Sequence, residues 1–201
     1  MPVRPVILAG DDVCFVTAGD MGLECARVFL EFLANSVSSV IDRQSFPACA
    51  GVVLVHKNYP FHRAYDLAEE LCSNAKKFGV SLDGQGRVSA MDWHIEFGQL
   101  KDDLDAQRED YRTDDGNRLE LRPVTVAIPE DIALDERMKL RSYAFFRIMC
   151  QNMRAEETAR GKMKGLRNAL KQGEIEAQFF LRMNFQSILR TGKRLICLSA
   201  L

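Results

Sequence analysis

Asp11 and Asp12 stand side by side in PVILAGDDVCFV, residues 5–16, a run otherwise rich in β-branched, aliphatic and aromatic residues. Two carboxylates at one point of a chain are hard oxygen ligands, the kind that hold a divalent cation together with a nucleotide's phosphates. Phosphoryl and nucleotidyl transfer ask for little covalent help beyond that, since a divalent metal neutralises developing charge and aligns the attacking oxygen. Gly10, next to the pair, lets a ligand approach the backbone closely. The same residues also meet a plainer need: Gly-Asp and Asp-Asp suit the backbone angles of a tight hairpin turn and keep their side chains in water. By itself the pair supports either reading.

Little else in the chain competes for chemistry. There is no G-x-x-x-x-G-K-[ST] phosphate loop, no nucleophile elbow and no zinc signature, which disfavours P-loop NTPases, serine hydrolases and zinc enzymes. Cys14, Cys25, Cys49, Cys72, Cys150 and Cys197 are scattered singly, with no C-x-x-C pair, and read as reduced, mostly buried small apolar residues. His56, His62 and His94 form no ligand cluster in sequence, although folding could bring the first two together. Trp93 could stack on a base, but in an alternating strand the core suits it better.

The elements that must position Asp11 and Asp12 can be read from periodicity. RPVILA and VCFVTA are short strands joined by Gly10, Asp11 and Asp12 as a hairpin. From Asp20, an acceptable N-cap or first-turn acid, Leu23, Ala26, Phe29, Leu30 and Leu33 recur at helical spacing and need a sheet to cover. ACAGVVLVH, residues 48–56, is continuously apolar and suits a central strand buried on both sides. Beyond Pro60, the residues from Phe61 to Phe78 follow the i, i+3, i+4 pattern, with Gly79 placed to end the helix. MDWHIEF alternates as a fourth strand. The order β-β-α-β-α-β describes an α+β sheet with its helices on one face.

Residues 101–118 are too charged to pack and predict an exposed loop, while LELRPVTVAI adds an edge strand, its Pro123 arguing against a central place. From about Glu130 the pattern is helical: Leu140, Tyr143, Ala144, Ile148 and Met149 mark one helix, and Met163, Leu166, Ala169 and Leu170 a second. Ile175, Phe179, Leu181, Phe185, Ile188 and Leu189 mark the apolar face of a third, with Gly161 and Gly173 as punctuation. This gives a domain over 1–128 carrying the hairpin and a basic helical region over 129–201.

Charge sharpens that division. Residues 1–136 hold 13 lysines and arginines against 24 acids, and residues 137–201 hold 14 against 4, although the whole chain is at −1. Such polarity fits two functional halves, the basic one suited to nucleic acid or an acidic protein face, and equally two halves that neutralise each other by packing. No apolar stretch is long enough to span a membrane and the N-terminus lacks a signal-peptide pattern, so the expected location is cytoplasmic.

The order of elements gives the acidic pair a wider context. A G-D-D hairpin, a helix, a strand of small residues and a helix ending NAKKFG together resemble the palm domain of GGDEF-type nucleotide cyclases. The closer resemblance is to the second, GGDD-type palm of the large polymerase-cyclase subunit of type III CRISPR effector complexes. It rests on PVILAGDDVCFV, ACAGVVLVHKNYPFHRAYDLAEELCSNAKKFG, MDWHIEFG and GLRNALKQGE, which spread over most of the chain from residue 5 to about 175. The resemblance implies a ferredoxin-like nucleotide-cyclase palm followed by a helical region. It also implies a function in antiviral defence: two Mg2+ or Mn2+ ions on Asp11 and Asp12, and ATP condensed 3′ to 5′ into cyclic oligoadenylate. Gly10 would give the nucleotide room, and Lys76 would fall near the terminal phosphates; as a plain helix C-terminal cation Lys76 would instead favour the macrodipole. Other subunits of the effector complex and its guide RNA are the implied partners, with no membrane.

Departures from the family pattern are specific. Ala9 stands where the family has its first glycine, and Val80 where GGDEF relatives have a phosphate-binding arginine. The family fold also places a strand and two helices before the hairpin, so the chain is expected to be a fragment of a longer one or to need a second chain to complete its sheet. The alternative function is a non-catalytic palm-like scaffold that binds partner subunits or RNA through its basic tail, which charge reversal at Arg160, Lys164 and Arg167 would break. A diguanylate-type cyclase ranks last, because the G-D-D lacks that family's acidic-Phe continuation.

Overall fold

A computed structural model describes residues 3–36, 46–96, 104–114, 116–154 and 160–184 of the 201-residue chain. Its backbone is α+β and divides into two compact units, residues 1–104 with 122–144, and residues 105–121 with 145–201.

The first unit opens on the expected hairpin. Strands β1 (Val3–Ala9) and β2 (Asp12–Thr17) pair antiparallel, with Ala9 opposite Asp12 and an irregularity between Pro5 and Ile7. That leaves Gly10 and Asp11 as a two-residue connection. Gly10 has φ +62°, the positive angle that primed hairpin turns require at their first central position. Asp12 therefore belongs to the strand rather than to the turn.

Helix α1 (Gly22–Asn35) follows, burying Gly22, Ala26 and Leu30. Met21 occupies the N-cap and Glu24 is the first-turn acid, so Asp20 does neither job. Strand β3 (Cys49–Leu54), helix α2 (Phe61–Asp83) and strand β4 (Ser89–Ile95) come next, with β3 and β4 parallel, and β5 (Val124–Ala127) adds antiparallel to the far side of β4. The sheet order is β3-β4-β5, separate from the β1-β2 ribbon. β5 is the edge strand foreseen, entered through a cis Arg122–Pro123 bond.

Three expectations change here. The helices do not share a face: a Cβ at Gly51 would meet Ala68, Leu71 and Cys72 of α2, whereas a Cβ at Gly22 of α1 would meet Val52. Consecutive strand residues point to opposite sides, so α1 and α2 sandwich the sheet. β3, read as central, lies at the sheet's edge with every residue half-buried, while β4 is the buried middle strand. β4 alternates in polarity but not in exposure, because helices cover both of its faces: Asp92 is fully buried and bonded to Asn74 Nδ2 at 2.6 Å. Trp93, 6% exposed on the other face, packs edge-on against Tyr143 and under the Arg122 guanidinium.

Gly79 does not end α2. The helix runs another turn to Asp83 and is closed by Gly84 at φ +69°, whose N–H donates to the Val80 carbonyl. Gly79 serves instead as a contact point, since a Cβ there would sit 2.8 Å from the Val88 carbonyl oxygen. Leu71 and Ala75, both fully buried on the same helix, complete that face.

Helix α4 (Glu136–Leu140) and α5 (Tyr143–Arg154) replace the single helix expected there, broken at Arg141. The charged stretch is not an open loop: among its described residues, α3 (Leu104–Arg108) is followed by a 3-10 turn, and Gln107 and Arg108 are buried. In the second unit α6 (Arg160–Gln172) packs on α7 (Glu174–Asn184), separated by Gly173 at φ +126°, while Gly161 lies inside α6. The apolar face expected of α7 is reset: Ala177 and Leu181 are buried, but Ile175 and Phe179 face solvent. Phe185, Ile188 and Leu189 lie outside the described residues. No helix among the described residues is long and apolar enough to cross a membrane.

Candidate metal-nucleotide site

The hairpin sets Asp11 and Asp12 at its tip by pairing alone. Both are exposed, and the space where a Gly10 Cβ would be holds no atom within 4 Å, so the turn's surface is open to a ligand. Alternation along β2 puts Asp12, Cys14 and Val16 on one face and Val13, Phe15 and Thr17 on the other. Thr17 points towards α1, because its Cγ2 would lie 3.7 Å from a Gly22 Cβ. Asp12 and Cys14 consequently look to the α2 side.

Helix α2 supplies the other wall. Its backbone rests directly on β3 at Gly51, where a Cβ would come within 2.0 Å of the Ala68 carbonyl oxygen and 2.6 Å of the Cys72 nitrogen. This close seat fixes the stripe Tyr65, Glu69, Cys72 and Lys76, spaced four, three and four residues apart and so on one helical face. Cys72 Sγ donates to the Cys49 carbonyl at 3.4 Å, tying that stripe to β3.

Electrostatics join the two walls. Burial pushes the Cys72 thiol up most, the neighbouring Cys49 adds to this, a hydrogen bond with the Gly51 backbone lowers it, and the smaller effects of the Lys76 ammonium, lowering, and the Asp12 carboxylate, raising, come last. Cys49 is also raised by burial and lowered in part by Lys76. Tyr65, hydrogen-bonded to Glu69, is raised first by that bond and further by Cys14 and Asp12. The Lys76 side chain is exposed and lies well before the end of α2, whose last turn carries no basic residue. Lys76 therefore does not stand at the C-terminal turn where a cation meets the macrodipole.

The donor set suits a hard divalent cation that keeps most of its ligands from water and phosphate: two exposed carboxylates on consecutive residues, with open space beside Gly10. Asp11 and Asp12 would hold it, and when bound it would supply charge neutralisation at phosphate oxygens. Among the described residues no group of three or more His, Cys, Asp or Glu side chains is gathered for a metal. His56 and His62 are exposed and join no such group; His56 Nδ1 accepts from the Asn58 N–H in the turn after β3. Ala9 faces solvent opposite Asp12, and Val80 is 40% exposed on α2.

Sequence reasoning missed Gly51 as the seat of α2 and the tie between Cys72 and the Cys49 carbonyl. A glycine inside an otherwise apolar strand was the available signal for Gly51, since it marks a close backbone approach. The chain matches no protein-family model and no curated protein.

Proposed function

We propose that the first unit is the palm of a metal-dependent nucleotidyltransferase. More narrowly, we propose the cyclase palm of a type III CRISPR large subunit, which joins ATP into cyclic oligoadenylate. Each bond forms between a ribose 3′ oxygen and the α-phosphorus of the next ATP, and pyrophosphate leaves as the α–β anhydride breaks. Asp11 and Asp12 bind the metals, Gly10 leaves room for the sugar, and Lys76 meets the terminal phosphates.

The observation that supports this reading is the hairpin tip itself: the pairing of Ala9 with Asp12 sets Asp11 and Asp12 exposed beside Gly10 at φ +62°, with open space where a Gly10 Cβ would lie. The sheet arrangement adds support. Among the described residues β2 pairs only with β1 and β3 only with β4, leaving two open strand edges in one unit, and a Cβ at Gly22 would meet both Thr17 at the end of β2 and Val52 within β3. A strand laid between β2 and β3 would join both sheets into one, as the ferredoxin-like palm requires, and would cover the half-exposed apolar run of β3.

Equilibrium dialysis of the chain against ATP and against GTP, each with Mn2+, tests the proposal. ATP should be retained over GTP, and Lys76→Ala should weaken ATP by about tenfold or more, the worth of a charged hydrogen bond to phosphate. Preference for GTP would move the assignment to a diguanylate-type cyclase, and retention of neither nucleotide would contradict the reading.

A further inference from the structure

We infer that the turn from β3 into α2, residues 56–63, is a docking site for a short acidic peptide of a partner protein, one that carries an apolar side chain at its centre. The sequence there is HKNYPFHR, with His56, Lys57, His62 and Arg63 all exposed and none in an ion pair among the described residues. No acid occurs between Asp42 and Asp66, although residues 1–136 as a whole hold 24 acids against 13 lysines and arginines. The start of α2 also breaks the local rules for a helix. Its N-cap is Pro60, which makes no side-chain cap bond, and its first turn holds no acid. His62 and Arg63 stand in that turn instead, where the positive end of the macrodipole disfavours a cation. Residues that work against their own helix serve something other than the fold.

Apolar surface lies among these cations. Phe61 is 51% exposed and Val55 37%, and the Phe61 ring leans on Tyr65 with 6.4 Å between centroids. Tyr59, half-buried, closes the turn by donating its N–H to the His56 carbonyl at 2.8 Å. An apolar centre ringed by polar and charged side chains is the anatomy of a protein interface, and aromatic anchors carry most of its energy. The charges of the ring select the partner: acidic side chains complement Lys57 and Arg63, which fixes register and speeds encounter. The extent of the patch disfavours a nucleic acid strand. Asp66, Glu69 and Glu70, all exposed, follow within two turns of Arg63, so a run of phosphates would leave the patch onto like charge. A short peptide ends before them.

Amide NMR spectra of the full chain, titrated with the synthetic peptide acetyl-Glu-Glu-Leu-Phe-Glu-Glu-amide, read the contact residue by residue. Shift changes should gather on residues 55–63 and saturate with a dissociation constant of about 1 mM or below, that of a weak transient contact. Lys57→Glu with Arg63→Glu should weaken binding by about tenfold or more through like-charge repulsion, and Phe61→Ala by about the same factor through loss of the anchor. Arg63→Glu alone should also raise the thermal midpoint, because it places an acid at the helix start; a residue kept for stability would give the opposite sign. The inference is overturned if the double variant binds the peptide as the wild type does, or if the shift changes fall outside residues 55–63 or do not occur. It is equally overturned if the midpoint falls in Arg63→Glu, or if an oligouridylate or inorganic phosphate moves the same amides at lower concentration. Asp11→Ala and Asp12→Ala leave this docking intact, so its outcome does not depend on that of the metal-nucleotide site.

Discussion

The hairpin and the α2–β3 layer hold the two halves of the candidate site by opposite means. β1 and β2 bury little: Val6, Leu8, Val13 and Val16 are 41–70% exposed, and the acids sit where a two-residue turn puts them. α2 is set by close packing, its backbone against Gly51 and Gly79 and its Leu71 and Ala75 fully buried. Asp11 and Asp12 are therefore free of structural duty, while Lys76 inherits its position from the core. Changes in one region should cost function alone, and changes in the other should cost the fold and carry function with it.

The largest effect expected on that contrast comes from Gly51. Any side chain there meets the Ala68 carbonyl at 2.0 Å, so Gly51→Val should abolish cooperative unfolding, and Gly51→Ala should destabilise by about 3 kcal/mol or more, the upper range of overpacking. Chemical denaturation checks both; a Gly51→Ala midpoint equal to wild type would show that α2 is not seated where described. Leu71→Ala follows, with a loss of about 2–5 kcal/mol from transfer and cavity terms at a site with no exposure.

A smaller effect concerns the loop that hands α2 to β4. The Asp83 side chain accepts from the backbone N–H groups of Gln85, Gly86 and Arg87 at 2.7–2.9 Å. Burial pushes its carboxyl up, but the N–H groups of Gln85, Arg87 and Gly86, together with the Arg87 guanidinium, outweigh this and hold it below its ordinary value. A depressed carboxylate adds stability above its unfolded pKa, about 3.9, and that stability is lost as pH falls through the folded value. Thermal midpoints should drop below about pH 4, and Asp83→Asn should lower the midpoint at neutral pH while flattening the acid limb. An acid limb identical in the variant would remove Asp83 from the account.

Much of this architecture was legible in the sequence because its signals are local. Alternating and β-branched runs marked the hairpin and β4, the i, i+3, i+4 pattern of residues 61–78 marked α2, and Pro123 marked β5 as an edge. What failed was set by neighbours that a local pattern does not name. The apolar run of β3 reads the same whether its second edge is filled or open, and Gly79 looks like a helix stop until Val88 is seen against it. Ile175 and Phe179 have helical spacing but lie on the side of α7 turned away from its buried Ala177 and Leu181. At the candidate site, the acidic pair and Lys76 were visible as residue types at suggestive places. The seat of α2 that positions Lys76 was not, because it is set by the close backbone approach at Gly51.

The smallest structural change should bring the sharpest functional one. Asp11→Ala with Asp12→Ala alters two exposed side chains and should shift stability by no more than about 0.5 kcal/mol. The deciding measurement is a calorimetric titration of Mn2+ and ATP into the wild-type chain and into this double variant at matched thermal stability. Saturable heat in the wild type and none in the variant is the result expected of a working metal-nucleotide site at the hairpin tip. Equal binding by both proteins would contradict it.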